Sequence, residues 1–149
     1  MSELEVSRTI AATPERLYAL VSDLPRMGEW SPENNGGRWI KGATGPAVGA
    51  RFKGKNSNGW RRWSTLAKVV TAEPGREFAF DVTAAGLKVA RWGYRFEATA
   101  DGAVVTEFWD DHRSPVIAKI TGIAVGAPNR LTHNRAGMEL TLERLAVAA

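Results

Sequence analysis

Residues 91–113 of the chain, RWGYRFEATADGAVVTEFWDDHR, decide the fold. In their first half, apolar and polar residues alternate: Trp92, Tyr94, Phe96 and Ala98 against Arg91, Gly93, Arg95 and Glu97. This period of two is typical of a strand that has one buried face and one solvent-exposed face. Asp101-Gly102 is a hairpin signal, and a second strand follows at about 104–113. We therefore predict an antiparallel hairpin whose aromatic side chains face inward, while the charged residues between them face water.

Five segments upstream of this hairpin alternate in the same way. They lie near residues 3–10, 38–41, 51–55, 62–69 and 77–82. Turn-forming residues separate the segments, for example EPGR at residues 73–76. Together with the hairpin, these segments predict a seven-stranded antiparallel sheet whose apolar face must be covered by another layer.

Two short helices are predicted between the first two strands. Thr13 can cap the N-terminus of the first helix, and Pro14 suits its first position. Apolar residues then recur on one helical face as far as Val21. A second short helix covers about 25–30 and ends before Pro32, because the residue preceding a proline disfavours helix.

A long helix is predicted at the C-terminus. Its stripe keeps helical spacing and contains both apolar and polar residues: Leu131, Asn134, Arg135, Met138, Leu142 and Leu145. We expect Leu131, Met138 and Leu142 to pack on the sheet. Upstream, Gly122, Gly126 and Pro128 predict a break or kink. These residues lower the free energy of local opening, so we expect segment 114–128 to gate the interior, with an ordinary kinked helix as the alternative.

The order of elements predicts the fold class. One strand, two short helices, six strands and a long helix indicate a single α+β domain over residues 1–149. Only one long helix is available to cover the sheet. Because a curved sheet that wraps around a single helix leaves space between the two layers, we expect an internal cavity.

Composition limits the chemistry of the chain. The 149 residues contain no cysteine, which excludes disulfides, thiolate catalysis and cysteine-ligated zinc. The net charge is +4, but the basic residues are scattered, so we expect no nucleic-acid partner. The N-terminus lacks the pattern of a signal peptide, and the longest apolar runs fall short of about 18 residues. We therefore expect a cytoplasmic protein without a membrane span.

Several stretches of the chain carry a resemblance to a known family. They are IAATPE at 10–15, EWSPE at 29–33, GPAVGARF at 45–52, EPGR at 73–76 with Phe78, HNR at 133–135 and TLERL at 141–145. Through them the chain resembles the SRPBCC superfamily of START-like proteins, and within it the polyketide cyclase/dehydrase group. The resemblance implies a helix-grip fold, in which a curved sheet holds the long C-terminal helix. Members include lipid carriers, hormone receptors and aromatase/cyclases, so it implies no single reaction.

The candidate ligand-binding residues lie on the apolar faces of the predicted strands and on the last helix. The aromatic set is Trp39, Phe52, Trp63, Phe78, Phe80, Trp92, Tyr94 and Phe108. The polar set is Asn56, Thr65, Tyr94 and Asn134. Ligand pockets are mostly apolar with a few placed polar groups, which is the pattern that these residues would form. Each ring could instead belong to ordinary core, and each polar group could be a satisfied buried one.

Three functions stay open at this point. The first, which we favour, is binding of a lipid-like or polycyclic, polyketide-like molecule in the cavity. The alternative is a cyclase/dehydrase-type enzyme in that cavity, with His112 or Asp110 as base and Tyr94 or Asn134 as hydrogen-bond donor. The third is a scaffold whose cavity has collapsed to well under about 300 Å³. We expect no metal and no cofactor, and a homodimer stays open.

Overall fold

The structure is a computed structural model that describes residues 2–124, 126 and 129–149. Its strands are β1 (Leu4–Ile10), β2 (Asn34–Ile40), β3 (Arg51–Asn58), β4 (Arg61–Glu73), β5 (Glu77–Ala84), β6 (Leu87–Thr99) and β7 (Gly102–Asp111). Its helices are α1 (Pro14–Ser22), α2 (Pro115–Ala124) and α3 (Arg130–Ala148), with a 3₁₀ helix at Leu24–Glu29. None of these helices combines the length and the hydrophobicity needed to cross a bilayer.

The seven strands form one sheet in the order β1-β7-β6-β5-β4-β3-β2, and each pairing between described residues is antiparallel. The register shifts between Val69 and Thr71 and between Val82 and Thr83. Such β-bulges bend a strand and increase its twist, so they help to curve the sheet. The predicted seven-stranded helix-grip architecture is confirmed.

The helix α1 fills one part of the concave face of the sheet. Thr13 caps this helix, because its Oγ1 accepts a hydrogen bond from the backbone N–H of Arg16 at 3.1 Å. Leu17 and Phe78 are fully buried, and Tyr18 packs edge-on against Phe78 with the ring centroids 6.0 Å apart. This part of the interior is solid core, so the space for a cavity is left between the sheet and α3.

The helix α3 covers the other part of the concave face. Its buried residues are Asn134, Met138, Thr141, Leu142 and Leu145. Met138 and Leu142 are buried as predicted, but Leu131 is 49% exposed, so the prediction that it packs on the sheet is wrong. Leu131 lies in the first turn of α3, before the buried residues of this helix begin at Asn134.

The connection between α2 and α3 falls where the sequence predicts a break. The helix α2 ends at Ala124 and α3 begins at Arg130. Residues 125, 127 and 128 of the expected gate lie outside the described residues, so the gating role of segment 114–128 stays a prediction.

The alternation predicted for β6 is confirmed. Its aromatic residues lie on the concave side, where Tyr94 and Phe96 are buried. Glu97 is exposed, and Arg91 lies on the outer side, where its guanidinium pairs with the carboxylate of Asp81 at 2.6 Å. At this point of β6 the outer face therefore carries an ion pair, and the concave face carries the buried aromatic residues.

Candidate functional site

A cavity of about 350 Å³ lies between the concave face of the sheet and α3. The strands β3 to β7 supply one wall, α3 supplies the opposite wall, and parts of α2 and of residues 31–34 complete the lining. Its large apolar side chains are Leu24, Met27, Phe52, Trp63, Phe80, Val82, Val89, Trp92, Trp109 and Met138. Because the volume exceeds the lower limit of about 300 Å³ for pockets that take drug-sized ligands, the cavity has not collapsed.

Most of the residues predicted to bind ligand line this cavity. Those that do are Phe52, Asn56, Trp63, Thr65, Phe80, Trp92, Tyr94 and Asn134. Those that do not are Trp39, Phe78 and Phe108. Contact of the lining residues with a ligand stays a prediction.

Trp39 and Phe78 belong to the core beside the cavity. The ring of Trp39 packs edge-on against its cross-strand partner Phe52, with the centroids 5.4 Å apart, and so supports the wall from the side. Phe78 is fully buried between Tyr18 and Phe80. For these two rings the ordinary-core alternative is the one that the packing supports.

Phe108 lies on the outer face of the sheet, so its assignment to the cavity is wrong. In the β6–β7 ladder Tyr94 is opposite Glu107 and Trp92 is opposite Trp109, which places the odd-numbered residues of β7 on the concave face. The ring of Phe108 instead covers Gly93, where a Cβ atom would collide with it. Phe108 is buried because its partner position has no side chain.

The two candidate bases, Asp110 and His112, also lie outside the cavity. The carboxylate of Asp110 accepts hydrogen bonds from Ser2 Oγ at 3.2 Å and from the backbone N–H of Glu3 at 3.0 Å, which fastens the start of the chain to β7. The side chain of His112 is exposed, and its backbone N–H donates to the carbonyl oxygen of Val89. Their even-numbered positions place them on the same outer side as Phe108, so neither reaches a ligand in the cavity.

Glu107 lines the cavity and is its most deeply buried acidic residue. The hydroxyl of Tyr94 donates a hydrogen bond to Glu107 Oε2 at 3.1 Å. The other oxygen, Oε1, has no hydrogen-bond partner within the described part of the chain, and the residue is only 3% exposed. Trp30 Nε1 is a second buried polar atom without a described partner, but Trp30 does not line the cavity.

Burial controls the protonation of the Glu107–Tyr94 pair. Removal from water disfavours the carboxylate and raises the pKa of Glu107 to about 8, although the hydrogen bond from Tyr94 acts in the opposite direction. Burial, and next the neighbouring carboxyl, also raise the pKa of the Tyr94 hydroxyl well above its ordinary value. At neutral pH both groups are therefore uncharged, and the cavity contains a carboxylic acid rather than a carboxylate.

Glu33, Arg130 and His133 are partly exposed residues of the lining, and we call this cluster the polar rim of the cavity. Glu33 Oε2 accepts a hydrogen bond from Arg130 Nη1 at 3.0 Å and lies 2.9 Å from His133 Nε2. This cluster ties the first turn of α3 to the chain that leads into β2. Nearby, Arg113 pairs with Asp111 through two contacts of 2.7 and 2.8 Å, so its charge is also matched.

Besides Tyr94, three polar residues that the sequence predicted to bind ligand line the cavity: Asn56, Thr65 and Asn134. Asn56 Nδ2 donates to Thr65 Oγ1 at 3.0 Å across the β3–β4 pair. Asn134 is buried on α3 and makes no side-chain hydrogen bond with any of the described residues. The described residues contain no group of three or more His, Cys, Asp and Glu side chains placed to hold a metal ion.

The position of Glu107 could have been predicted from its cross-strand partner on β6. The alternation of residues along β7 alone does not reveal it. A turn at Asp101-Gly102 sets the register of the hairpin, which brings Ala98 opposite Ala103 and continues to Tyr94 opposite Glu107. Since Tyr94 was predicted to face inward, its cross-strand partner must share that face. An inward-facing Glu beside an inward-facing Tyr is the pattern that identifies this site.

Comparison with solved structures shows the same fold in other proteins. CV1439 from Chromobacterium violaceum matches with a TM-score of 0.72 at 15% identity, over 99% of this chain and 96% of its own. The polyketide_cyc-like protein Cgl2372 from Corynebacterium glutamicum is 35% identical over 97% of this chain and 81% of its own, with a TM-score of 0.54. StfQ, a di-domain ARO/CYC of the steffimycin biosynthetic pathway, matches with a TM-score of 0.74 at 13% identity, over 97% of this chain and 49% of its own.

A comparison with the curated proteins found no match. At the level of sequence families, the profile described as polyketide cyclase / dehydrase and lipid transport matches residues 1–148. The match extends over practically the whole chain, and the observed fold agrees with it. The chain therefore belongs to the polyketide cyclase / dehydrase and lipid transport family.

Proposed function

We propose that the protein binds a hydrophobic small molecule, lipid-like or polycyclic, in the cavity between the sheet and α3. The observation that carries this proposal is the cavity itself, which has a volume of about 350 Å³ and a mostly apolar lining. Enclosed apolar surface of this kind is costly to keep in contact with water, and a ligand of matching shape removes that cost.

The aromatic wall favours a flat ligand. Trp92 and Trp109 lie side by side on β6 and β7, with their ring centroids 6.3 Å apart, and Trp63 lines the wall on β4. Indole rings offer broad faces on which fused rings can stack. A ligand of about three fused rings that removes about 250 Å² of apolar surface would gain about 6 kcal/mol before the cost of association.

Displacement of a fluorescent probe tests this function. Fluorene, a three-ring hydrocarbon, should displace anilinonaphthalene sulfonate from the protein and quench its tryptophan fluorescence. Val82→Trp should abolish both effects, because the larger ring fills the cavity that Val82 lines. Thr83→Trp places the same ring on the opposite face of β5 and is the matched control. No displacement by fluorene, or equal binding by the two folded variants, would contradict cavity binding.

One observation favours a second candidate, an enzyme of the cyclase/dehydrase type. Glu107 and Tyr94 form a buried acid–donor pair, and a pKa of about 8 allows the carboxyl to exchange a proton near neutral pH. In its ionised form Glu107 can take the proton next to a ligand carbonyl, and Tyr94 can then turn its hydroxyl from Glu107 to the developing oxyanion. In deuterated buffer, the enzyme hypothesis predicts faster deuterium incorporation beside the carbonyl of tetralone with wild type than with Glu107→Gln. Equal rates for the two proteins would contradict the enzyme hypothesis, and ligand binding would be the remaining function.

A further inference from the structure

The two oxygens of Glu107 have different surroundings. Oε2 accepts the hydrogen bond from Tyr94, whereas Oε1 has no partner within the described residues. When the carboxyl is protonated with Oε2 occupied as acceptor, the proton lies on Oε1. The wall of the cavity then contains a hydrogen-bond donor without an acceptor, and buried donors of this kind normally have one.

Among the described residues, no unpaired cation lies in the lining to stabilise Glu107 as a carboxylate. The other charged side chains of the described lining are Glu33, Arg113, Arg130 and His133. Arg130 and His133 contact Glu33, and Arg113 is bound to Asp111. From β1, the residue opposite Glu107 is the apolar Val6, and from β6 it is Tyr94. A ligand group with a negative charge would also lack a cation in this wall and would be strongly disfavoured there. The ligand group that complements Oε1 is therefore a neutral hydrogen-bond acceptor.

We propose that Glu107, in its neutral form, donates a hydrogen bond from Oε1 to a carbonyl oxygen of the ligand, and that the cavity selects uncharged aromatic or polycyclic ketones. This inference rests on the proposed function and names the ligand class for it. The register supports the ring system as well as the oxygen. The Trp92–Trp109 pair lies two residues along the ladder from the Tyr94–Glu107 pair, so rings that contact the indoles can hold a carbonyl at Glu107.

A matched pair of probes separates this inference from cavity binding. Fluorene and fluorenone have the same ring skeleton, and only fluorenone has a carbonyl. The measured quantity is the ratio of the fluorene Kd to the fluorenone Kd, obtained by displacement of anilinonaphthalene sulfonate. Because Glu107→Met loses one neutral hydrogen bond to the carbonyl, we expect this ratio to be about five- to tenfold higher in wild type than in the variant. Glu97→Met makes the same change at an exposed position and should keep the wild-type ratio.

The protonation state gives a second readout. Raising the pH through about 8 ionises Glu107, so the wild-type ratio should fall, whereas fluorene binding should change little. Glu107→Gln keeps a neutral donor at every pH and should keep the ratio high throughout. In addition, the carbonyl stretch of bound fluorenone should shift to lower wavenumber in wild type and in Glu107→Gln, but not in Glu107→Met.

The outcomes are distinguishable. If fluorene binds but the ratio is the same in wild type, Glu107→Gln and Glu107→Met, the ketone inference is overturned and cavity binding stands. If the ratio rises with pH, the preference for the carbonyl does not come from protonated Glu107, and the neutral-donor inference is wrong. If neither probe binds to the cavity, the proposed function fails and the inference fails with it.

Discussion

Two carboxyl groups line the same cavity in opposite surroundings. Glu33 at the polar rim is partly exposed, accepts a hydrogen bond from Arg130 and lies beside His133. Glu107 in the interior is almost fully buried and has one neutral partner, Tyr94. The rim carboxylate is balanced by the guanidinium of Arg130, whereas burial raises the pKa of the interior carboxyl and keeps it neutral at pH 7.

The difference shows that partners, not residue type, determine what an acidic residue can do. Glu33 connects α3 to the residues before β2, which is a positioning role. Glu107 keeps one oxygen without a described partner, which is a recognition role. Variants of the two sites should therefore differ in pH dependence, in stability and in ligand preference.

The largest expected effect is the pH dependence of stability that Glu107 imposes. Its pKa is about 8 in the folded protein and close to 4.5 when the chain unfolds, so the folded state binds more protons between these values. The free energy of unfolding should therefore fall as the pH rises from about 4.5 to about 8, in total by a few kcal/mol. Glu107→Gln should remove this slope and be the more stable protein at about pH 9. Urea denaturation across this range measures it.

Glu97→Gln removes one carboxyl from the exposed part of β6 and is the control for that experiment. It should keep the wild-type slope. Parallel profiles for wild type and Glu107→Gln would mean that Glu107 is already ionised in the folded protein, and the comparison between the two carboxyl groups would no longer hold.

A smaller loss of stability is expected for Tyr94→Phe. This change removes the only described partner of Glu107 and leaves both oxygens of a buried carboxyl unsatisfied, at a cost of about 1–3 kcal/mol. Tyr18→Phe is a close control, because Tyr18 is also buried but its hydroxyl makes no hydrogen bond with the described residues. Equal unfolding free energies for the two variants would show that the Tyr94–Glu107 hydrogen bond contributes nothing to stability.

The smallest effect is expected at the polar rim. Glu33→Gln removes the charge that faces Arg130 and His133, but partly exposed ion pairs are screened by solvent. We expect a loss below about 1 kcal/mol in urea denaturation, and a smaller loss at high salt. A loss as large as that of Tyr94→Phe would place the main polar support of the cavity at the rim instead of in the interior.

Most of the fold could be predicted because its signals are local. Alternation in residues 91–98 set the inward face of β6, and the turn at Asp101-Gly102 set the hairpin. The break before α3 followed from glycine and proline. Leu131 was misplaced because helical spacing tells which side of a helix a residue occupies, but not how far the partner layer extends along the helix.

The site was harder to predict because both faces of β7 carry apolar residues. Val105 and Trp109 are buried on the concave side, and Phe108 is buried on the outer side. When two faces are equally apolar, alternation cannot determine which residues face inward, and Glu107 was overlooked in favour of Asp110 and His112. The cross-strand register with Tyr94 resolves the ambiguity, because paired residues share a face.

Nuclear magnetic resonance with bound fluorenone tests the central claim most directly. Intermolecular nuclear Overhauser effects should connect the ring protons of fluorenone to the Met138 methyl group and to the indoles of Trp92 and Trp109, all of which line the cavity. Effects restricted to exposed apolar side chains such as Val116 and Ile120 on α2 would place the ligand on the surface and contradict binding in the cavity.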